Sequence, residues 1–264
     1  MLGRGSAANV YSARDTTDDR GVAIKVMREI IAKDPSARKR FVREAELQEK
    51  LRHRNIAGIF GSGIHKGKPF LVLELLHGRS LRDVVRKDAP IGFAIASSYC
   101  WQALQGLASM HELGILHRDL KPGNVMLEPS PGPIERVVLI DFGFASLEGG
   151  GRITATGQVV GSLGYLAPER LLGSDADARS DIYGIGVILF ELLCGRRPFV
   201  ADTDIALING HLKEAVPAIS DAAPGVVVPD AIEAIIGQAM AKEPEDRFET
   251  AEAMADALAA AAQT

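Results

Sequence analysis

Hydrophobic and polar positions change their rhythm part-way along this chain. In the first third, Val22 to Met27 and Phe70 to Leu76 are short β-prone runs, and Gly61, Gly63 and the stretch from Gly67 to Pro69 punctuate the path between them. A single helical pattern interrupts these strands. It follows Pro35 and runs to about Arg52, with Phe41, Ala45, Leu47 and Leu51 on one broad face. After His77-Gly78 the apolar spacing lengthens to three and four residues. That spacing predicts helices over 80–88, 91–112, 180–194, 230–242 and 248–262, around a glycine-rich middle section in which Val137 to Ile140 reads as a buried strand. The expectation is an α+β chain of two lobes: a small antiparallel β-rich lobe with one helix over residues 1–76, then a larger, mainly helical lobe over residues 77–264. The join from Glu74 to Gly78 is so short that the lobes should share one cleft. No internal repeat or low-complexity linker divides the chain, and the run Ala259 to Ala262 reads as a fraying helix end.

The uncharged stretch from Ala89 to Met110 is long enough to cross a bilayer. Its apolar set, Ile95, Tyr99, Trp101, Leu104, Leu107 and Ala108, is interrupted by Ser97, Ser98, Gln102, Gln105 and Ser109, which suits a helix buried in protein. No membrane segment is expected, and residues 1 to 20 lack the apolar run of a secretory leader. The 264 residues are 47% hydrophobic and 24% charged, with 30 basic and 34 acidic side chains and a formal charge of -4. Such a balance, without a long single-sign run, disfavours nucleic-acid binding. Cys100 and Cys194 have no Cys-x-x-Cys spacing and no nearby histidine, so neither a zinc ribbon nor a disulfide framework fits, and a reducing, cytoplasmic setting is expected.

Several segments carry more polar chemistry than a fold requires. Gly3-Arg4-Gly5, followed by Val10, would let backbone N–H groups approach phosphate oxygens, although two glycines two apart also make an ordinary turn. Val22-Ala23-Ile24-Lys25 places a lysine in an apolar strand, where it needs an anionic partner unless it sits on an exposed edge. Glu44 falls on the apolar arc of its helix and is one candidate partner; a surface pair with Arg40 or Arg43 is the other reading. His117-Arg118-Asp119-Leu120-Lys121-Pro122-Gly123-Asn124 packs an imidazole, two cations, a carboxylate and an amide into eight residues. Beyond it, Asp141-Phe142-Gly143 stands at the end of the buried strand. Asn124 and Asp141 offer hard oxygen donors of the kind magnesium takes beside phosphate.

Taken in order, the glycine loop, Val-Ala-Ile-Lys, His-Arg-Asp-x-x-x-x-Asn, Asp-Phe-Gly and Ala167-Pro168-Glu169 resemble a eukaryotic-type serine/threonine protein kinase domain, across essentially the whole chain. The phrasing from Leu116 to Asn124, Thr154-Ala155-Thr156 and Ser180 to Tyr183 is most similar to bacterial sensor-type kinases. The resemblance implies a bilobal kinase fold and transfer of the γ-phosphate of ATP, with magnesium, to serine or threonine hydroxyls of proteins in signalling. It also implies roles. Leu2, Gly3, Arg4, Gly5 and Ser6 would cover the phosphates. Val10 and Ala23 would sandwich the adenine, Leu73 would line the back of that pocket, and the main chain from Glu74 to Leu76 would meet the adenine edge. Lys25, held by Glu44, would contact the α- and β-phosphates. Asp119 would accept the hydroxyl proton, Lys121 would neutralise the transferring phosphate, and Asn124 and Asp141 would hold the metal. Thr154 and Thr156 match autophosphorylation sites, reached through a transient pairing of two copies, and a phosphate there could pair with Arg118. Ser162 would contact the substrate residue, Asp181 would brace the catalytic loop, and Glu169 would pair with Arg247.

Two departures from the family pattern bear on these expectations. Ala8 replaces the third loop glycine, which stiffens the flap, and the chain opens at Met1-Leu2, so a truncated first strand would loosen the roof over the nucleotide. A pseudokinase that binds without turnover is the alternative that this second departure raises. A small-molecule phosphotransferase is the other rival, and the long segment from Gly143 to Ala167 favours protein substrates over it.

Overall fold

The computed structural model describes residues 1–5, 8–142 and 163–262, apart from the side chains of residues 40, 44 and 47. The expectations placed on Ser6, Thr154, Thr156, Ser162 and the Glu44 carboxylate therefore lie outside the described residues.

The small lobe is built on a five-stranded antiparallel sheet of β1 (Gly3–Arg4), β2 (Ala8–Arg14), β3 (Gly21–Met27), β4 (Ile59–His65) and β5 (Lys68–Glu74), in the order β1-β2-β3-β5-β4. Val10 pairs with Lys25 across β2 and β3, while Ala23 and Lys25 pair with Leu73 and Leu71 of β5. Directly paired residues share a face. Val10, Ala23, Lys25, Leu71 and Leu73 thus stand together on the inner face. Part of that face is covered by α2 (Pro35–Gln48), whose Phe41 and Ala45 pack with Met27 and Leu71. A one-turn α1 (Glu29–Ala32) precedes α2, so the expected single helix is joined by a second short one. α2 also ends a turn earlier than the apolar pattern predicts: Leu51, 3% exposed, reaches the core of the large lobe from outside the helix.

Of the glycines expected to punctuate the path to β5, Gly67 does so, in a turn at φ 75°, whereas Gly61 and Gly63 lie within β4. This is an edge strand, paired on one side only, and Gly63 opposes Phe70. A Cβ at Gly63 would come within 2.8 Å of the Phe70 ring, so the aromatic ring occupies the space a side chain would fill.

The large lobe begins with β6 (Arg79–Ser80) and α3 (Leu81–Lys87), where Ser80 and Asp83 form a reciprocal capping box. α4 (Phe93–His111) follows, then β7 (Val125–Glu128) and β8 (Arg136–Leu139), which join β6 in a three-stranded sheet. α5 (Pro168–Leu171), α6 (Ala178–Cys194), α7 (Asp204–Lys213), α8 (Ile219–Ala222), α9 (Asp230–Ala239) and α10 (Ala251–Ala261) complete the lobe. α6 is its axis: every residue from Ser180 to Cys194 is buried. The Asp177 side chain caps its first turn, and Gly195, at φ 69°, ends it in the left-handed conformation. Among the described residues, no helix is long and apolar enough to cross a membrane. The turn into the large lobe depends on Gly78, where a Cβ would lie 1.6 Å from the Leu127 carbonyl oxygen.

Candidate active site

Lys25, from the middle of β3, is 7% exposed. Its Nζ donates to Asp141 Oδ1 at 2.9 Å, closing a contact between residues 116 positions apart. An unpaired ammonium at that depth would be costly, so the partner resolves the charge that the apolar strand buried. Burial pushes the Asp141 carboxyl upward, but Lys25, His117 and Lys121 outweigh it and hold it below the usual carboxylate range. Asp141 also has a positive φ of 59°, a conformation that costs a non-glycine residue energy and that is held here by its surroundings.

The segment after α4 supplies the second half of the site. Asp119 Oδ2 accepts from Lys121 Nζ at 2.6 Å and from Asn124 Nδ2 at 2.8 Å, and Asn124 Nδ2 also donates to the Asp119 carbonyl at 2.8 Å. These bonds orient the carboxylate and commit the amide nitrogen of Asn124. Its backbone carbonyl accepts from Ile140 N at 3.0 Å, which ties the loop to the residue before Asp141.

Asp181, at the start of α6, holds the same loop from below. It accepts from His117 N at 2.8 Å and Arg118 N at 3.0 Å, and contacts His111 Nε2 at 2.9 Å. Burial raises its carboxyl, yet His111, His117 and these bonds bring it below the ordinary range, so it is an anion inside the protein. Arg118 is bent to φ 67° by this anchorage. Burial lowers Arg170, at the end of α5, and the neighbouring Arg118 cation pushes the same way, which puts two guanidiniums in one region. Glu169, on the same short helix, binds Arg247 through both oxygens at 2.9 and 2.8 Å and accepts from Ser180 Oγ at 2.5 Å.

The residues expected around a purine are distributed more loosely. Val10, Ala23 and Leu73 share the inner sheet face with Lys25, whereas Leu2 is 56% exposed and Gly3, Arg4 and Gly5 lie in or beside the two-residue β1. The Glu74 carboxylate accepts from Arg136 Nη2 at 2.6 Å and from Gly58 N at 3.1 Å, so its side chain braces the join while Leu76 follows toward Gly78. Sequence reasoning missed Gln48. Buried at the end of α2, it donates from Nε2 to the Phe142 carbonyl at 2.8 Å, linking that helix to the residue after Asp141. Its signal was an amide on the apolar side of a helix, one turn beyond Glu44.

A family model described as "Protein kinase domain" matches residues 1–258. The chain belongs to the protein kinase family. A probable serine/threonine-protein kinase of Corynebacterium efficiens is 39% identical over 96% of this chain, and the serine/threonine-protein kinase PknJ of Mycobacterium tuberculosis is 38% identical over 99% of it. These matches cover 39% and 44% of the two relatives, so the chain spans less than half the length of either. The kinase domain of Mycobacterium tuberculosis PknI superposes with a TM-score of 0.74 at 25% identity, covering 98% of this chain and 93% of that one. Antiparallel sheet in one lobe and helices in the other are the bilobal arrangement that the motifs implied.

Proposed function

We propose that this domain, with residues 1–76 as its smaller lobe and 77–264 as its larger, transfers the γ-phosphate of ATP to serine or threonine hydroxyls of protein substrates. The observation that carries the reading is the meeting of Lys25 and Asp141 at 2.9 Å beside a carboxylate, Asp119, that is fixed by Lys121 and Asn124. Asp119 accepts the proton of the substrate hydroxyl as its oxygen bonds to the phosphorus and the bond to the ADP leaving group breaks. Lys121 offsets the negative charge at that point, and Lys25 draws the α- and β-phosphates toward the inner sheet face, where Val10, Ala23 and Leu73 take the purine.

Asp141 and the amide oxygen of Asn124 fit a magnesium ion. The nitrogen of Asn124 is spent on Asp119, its oxygen remains, and two hard oxygens suit an ion that completes its shell with phosphate and water. When bound it would supply charge neutralisation at the phosphates.

Thr154 and Thr156 are the proposed autophosphorylation sites, in a transient pair of copies, with Arg118 as phosphate partner and Ser162 as a contact for the acceptor residue. Asp181, Glu169 and Arg247 hold the loop and the α5 segment in place. We place the domain in the reducing cytoplasm, which suits Cys100 and Cys194, both buried thiols, and without a nucleic-acid partner.

The test is direct. Purified protein is given labelled ATP, magnesium and a generic basic protein, beside Lys25→Met, Asp119→Asn and Asp141→Asn. We expect losses of at least about 1000-fold in turnover, with ATP affinity nearly unchanged in Asp119→Asn. Wild-type protein that binds ATP yet labels nothing would instead support a binding domain without turnover.

A further inference from the structure

A cavity of about 300 Å³ opens between the loop after α2, the middle of α4 and the start of β8, and none of the cleft residues named above lines it except through Arg136. Its walls include His53, Arg54, Trp101, Gln105, Ile134 and Arg136. The Gln102 and Glu135 side-chain acceptors in this wall are already committed, which leaves Gln105 Oε1, Asn55 Oδ1 and Ser98 Oγ as its open acceptors. Gln102 Oε1 takes Asn55 Nδ2 at 3.3 Å and Val137 N at 3.0 Å, and Glu135 takes the Tyr99 hydroxyl and Arg79. Arg136 is committed too, to Glu74 and to the Arg54 carbonyl.

Most of what remains open is donors. The Arg54 guanidinium, the Trp101 indole N–H and the Gln105 amide make no side-chain hydrogen bond to any described residue. His53 Nδ1 accepts from Asn55 N at 3.2 Å, which puts the proton of the neutral ring on Nε2. Burial and the adjacent Arg54 both hold His53 below the usual histidine range, so it is a neutral donor at pH 7. Trp101, 39% exposed, gives the cavity an aromatic wall that it shares with the Arg54 guanidinium.

We propose that this cavity binds a small planar anion, a ring carrying a carboxylate or phosphate, with the acid group on Arg54 and the ring against Trp101. An arginine fork matches both acid groups, and an indole offers a broad apolar face to a ring. The volume is at the lower end for small-molecule sites and suits a ligand of about one ring plus its acid group. Nothing in the argument uses the nucleotide cleft, so the site stands apart from the phosphotransfer reading.

Trp101 is the single tryptophan of the chain, so its emission reports this cavity directly. The intact chain, with its cleft saturated by magnesium and ADP, is titrated with phenyl phosphate and with benzoate. Inorganic phosphate and benzyl alcohol serve as the two half-probes. We expect a saturable emission change with one of the ring acids below about 10 mM, and at least tenfold weaker binding of each half-probe. Arg54→Ala should weaken the ring acid at least tenfold while phosphotransfer is unchanged, because Arg54 is exposed and outside the phosphotransfer site. If that variant loses its fold by circular dichroism, Gln105→Leu replaces it under the same criterion. No saturable change, equal affinity in the folded variant, or binding seen only when ADP is left out would each overturn the proposal.

Discussion

Around Phe41 and Leu71 the small lobe gathers a compact cluster with Met27, Ala32 and Ala45, whereas in the large lobe the buried helix α6 is packed on all sides. The small lobe uses one inner sheet face for two purposes. Met27 and Leu71 on that face meet α2, while Val10, Ala23 and Leu73 continue the same apolar surface toward the cleft. In the large lobe, by contrast, Asp119, Lys121 and Asn124 hang, through Asp181 of α6, from a large core to which the small lobe adds only Leu51 and Ile56. The difference teaches where each half of the site draws its order: the loop around Asp119 from a finished core, and Lys25 from a sheet whose apolar face is only partly covered.

The largest effect that separates the lobes should come from Arg247. It is 4% exposed and donates to Glu169 and to the carbonyls of Arg179, Ala241 and Lys242. Burial raises the Glu169 carboxyl, but Arg247 and Ser180 hold it below its usual range, so removing the guanidinium strands a carboxylate. Arg247→Met should cost about 3–5 kcal/mol in denaturant unfolding, and adding Glu169→Gln should restore part of it. A loss under about 1 kcal/mol would mean that the large lobe does not depend on this brace.

Leucine truncation makes the comparison sharper. Leu189 and Leu71 are both fully buried, and each change to alanine falls in the range of about 2–5 kcal/mol. Leu189→Ala belongs at the upper end because α6 is surrounded by core, and Leu71→Ala at the lower end because its cluster is small. Saturating ADP should recover more of the Leu71→Ala loss, since a ligand extends the cover on that face. The reverse order would show that the small lobe is the better packed of the two.

The strongest pH dependence should come from the large lobe. His211 is buried against Tyr183 and Phe199, its Nδ1 contacts the Tyr183 hydroxyl at 2.8 Å, and Lys242 lies over the Phe199 ring. Burial first, then the Lys242 and Arg197 cations, lower its pKa from 6.5 to about 4. Between those two values the unfolded chain binds a proton that the folded one refuses, so stability is full above about pH 6.5 and declines as pH falls toward about 4. The loss at the acid end should be about 2–3 kcal/mol, and His211→Asn should flatten the slope in unfolding measured across that window. The smallest expected effect is at the seam. Gln48→Ala should cost about 1 kcal/mol and slow turnover a few-fold, by freeing the Phe142 carbonyl from α2.

Long helices with a sustained period were readable. The pattern over 91–112 becomes α4 at Phe93–His111, and that over 180–194 becomes α6 at Ala178–Cys194. Periodicity succeeds there because burial repeats along many turns. It failed for β4, whose glycines resemble a turn until the Phe70 ring is seen to cover one of them. α7 was also missed, although Thr203 caps it, because exposed Ile205 breaks its apolar stripe. At the site, motif spacing singled out Lys25, Asp119, Asn124 and Asp141, and these four are drawn together. Gln48 left one local mark, an amide on the apolar side of its helix, and the commitment of Glu74 to Arg136 left none, since each role depends on a partner far along the chain.

The ion pair between Glu169 and Arg247 joins positions 78 residues apart. On a ribosome the acid is made first, and at ordinary elongation rates its cation follows roughly 4–16 seconds later. Throughout that interval the α5 segment carries a carboxylate with no guanidinium to receive it, and α6 has neither α9 nor α10 to lie against. The large lobe, the more solid of the two once finished, is therefore the one whose completion waits for Arg247 and the helices on either side of it to be made.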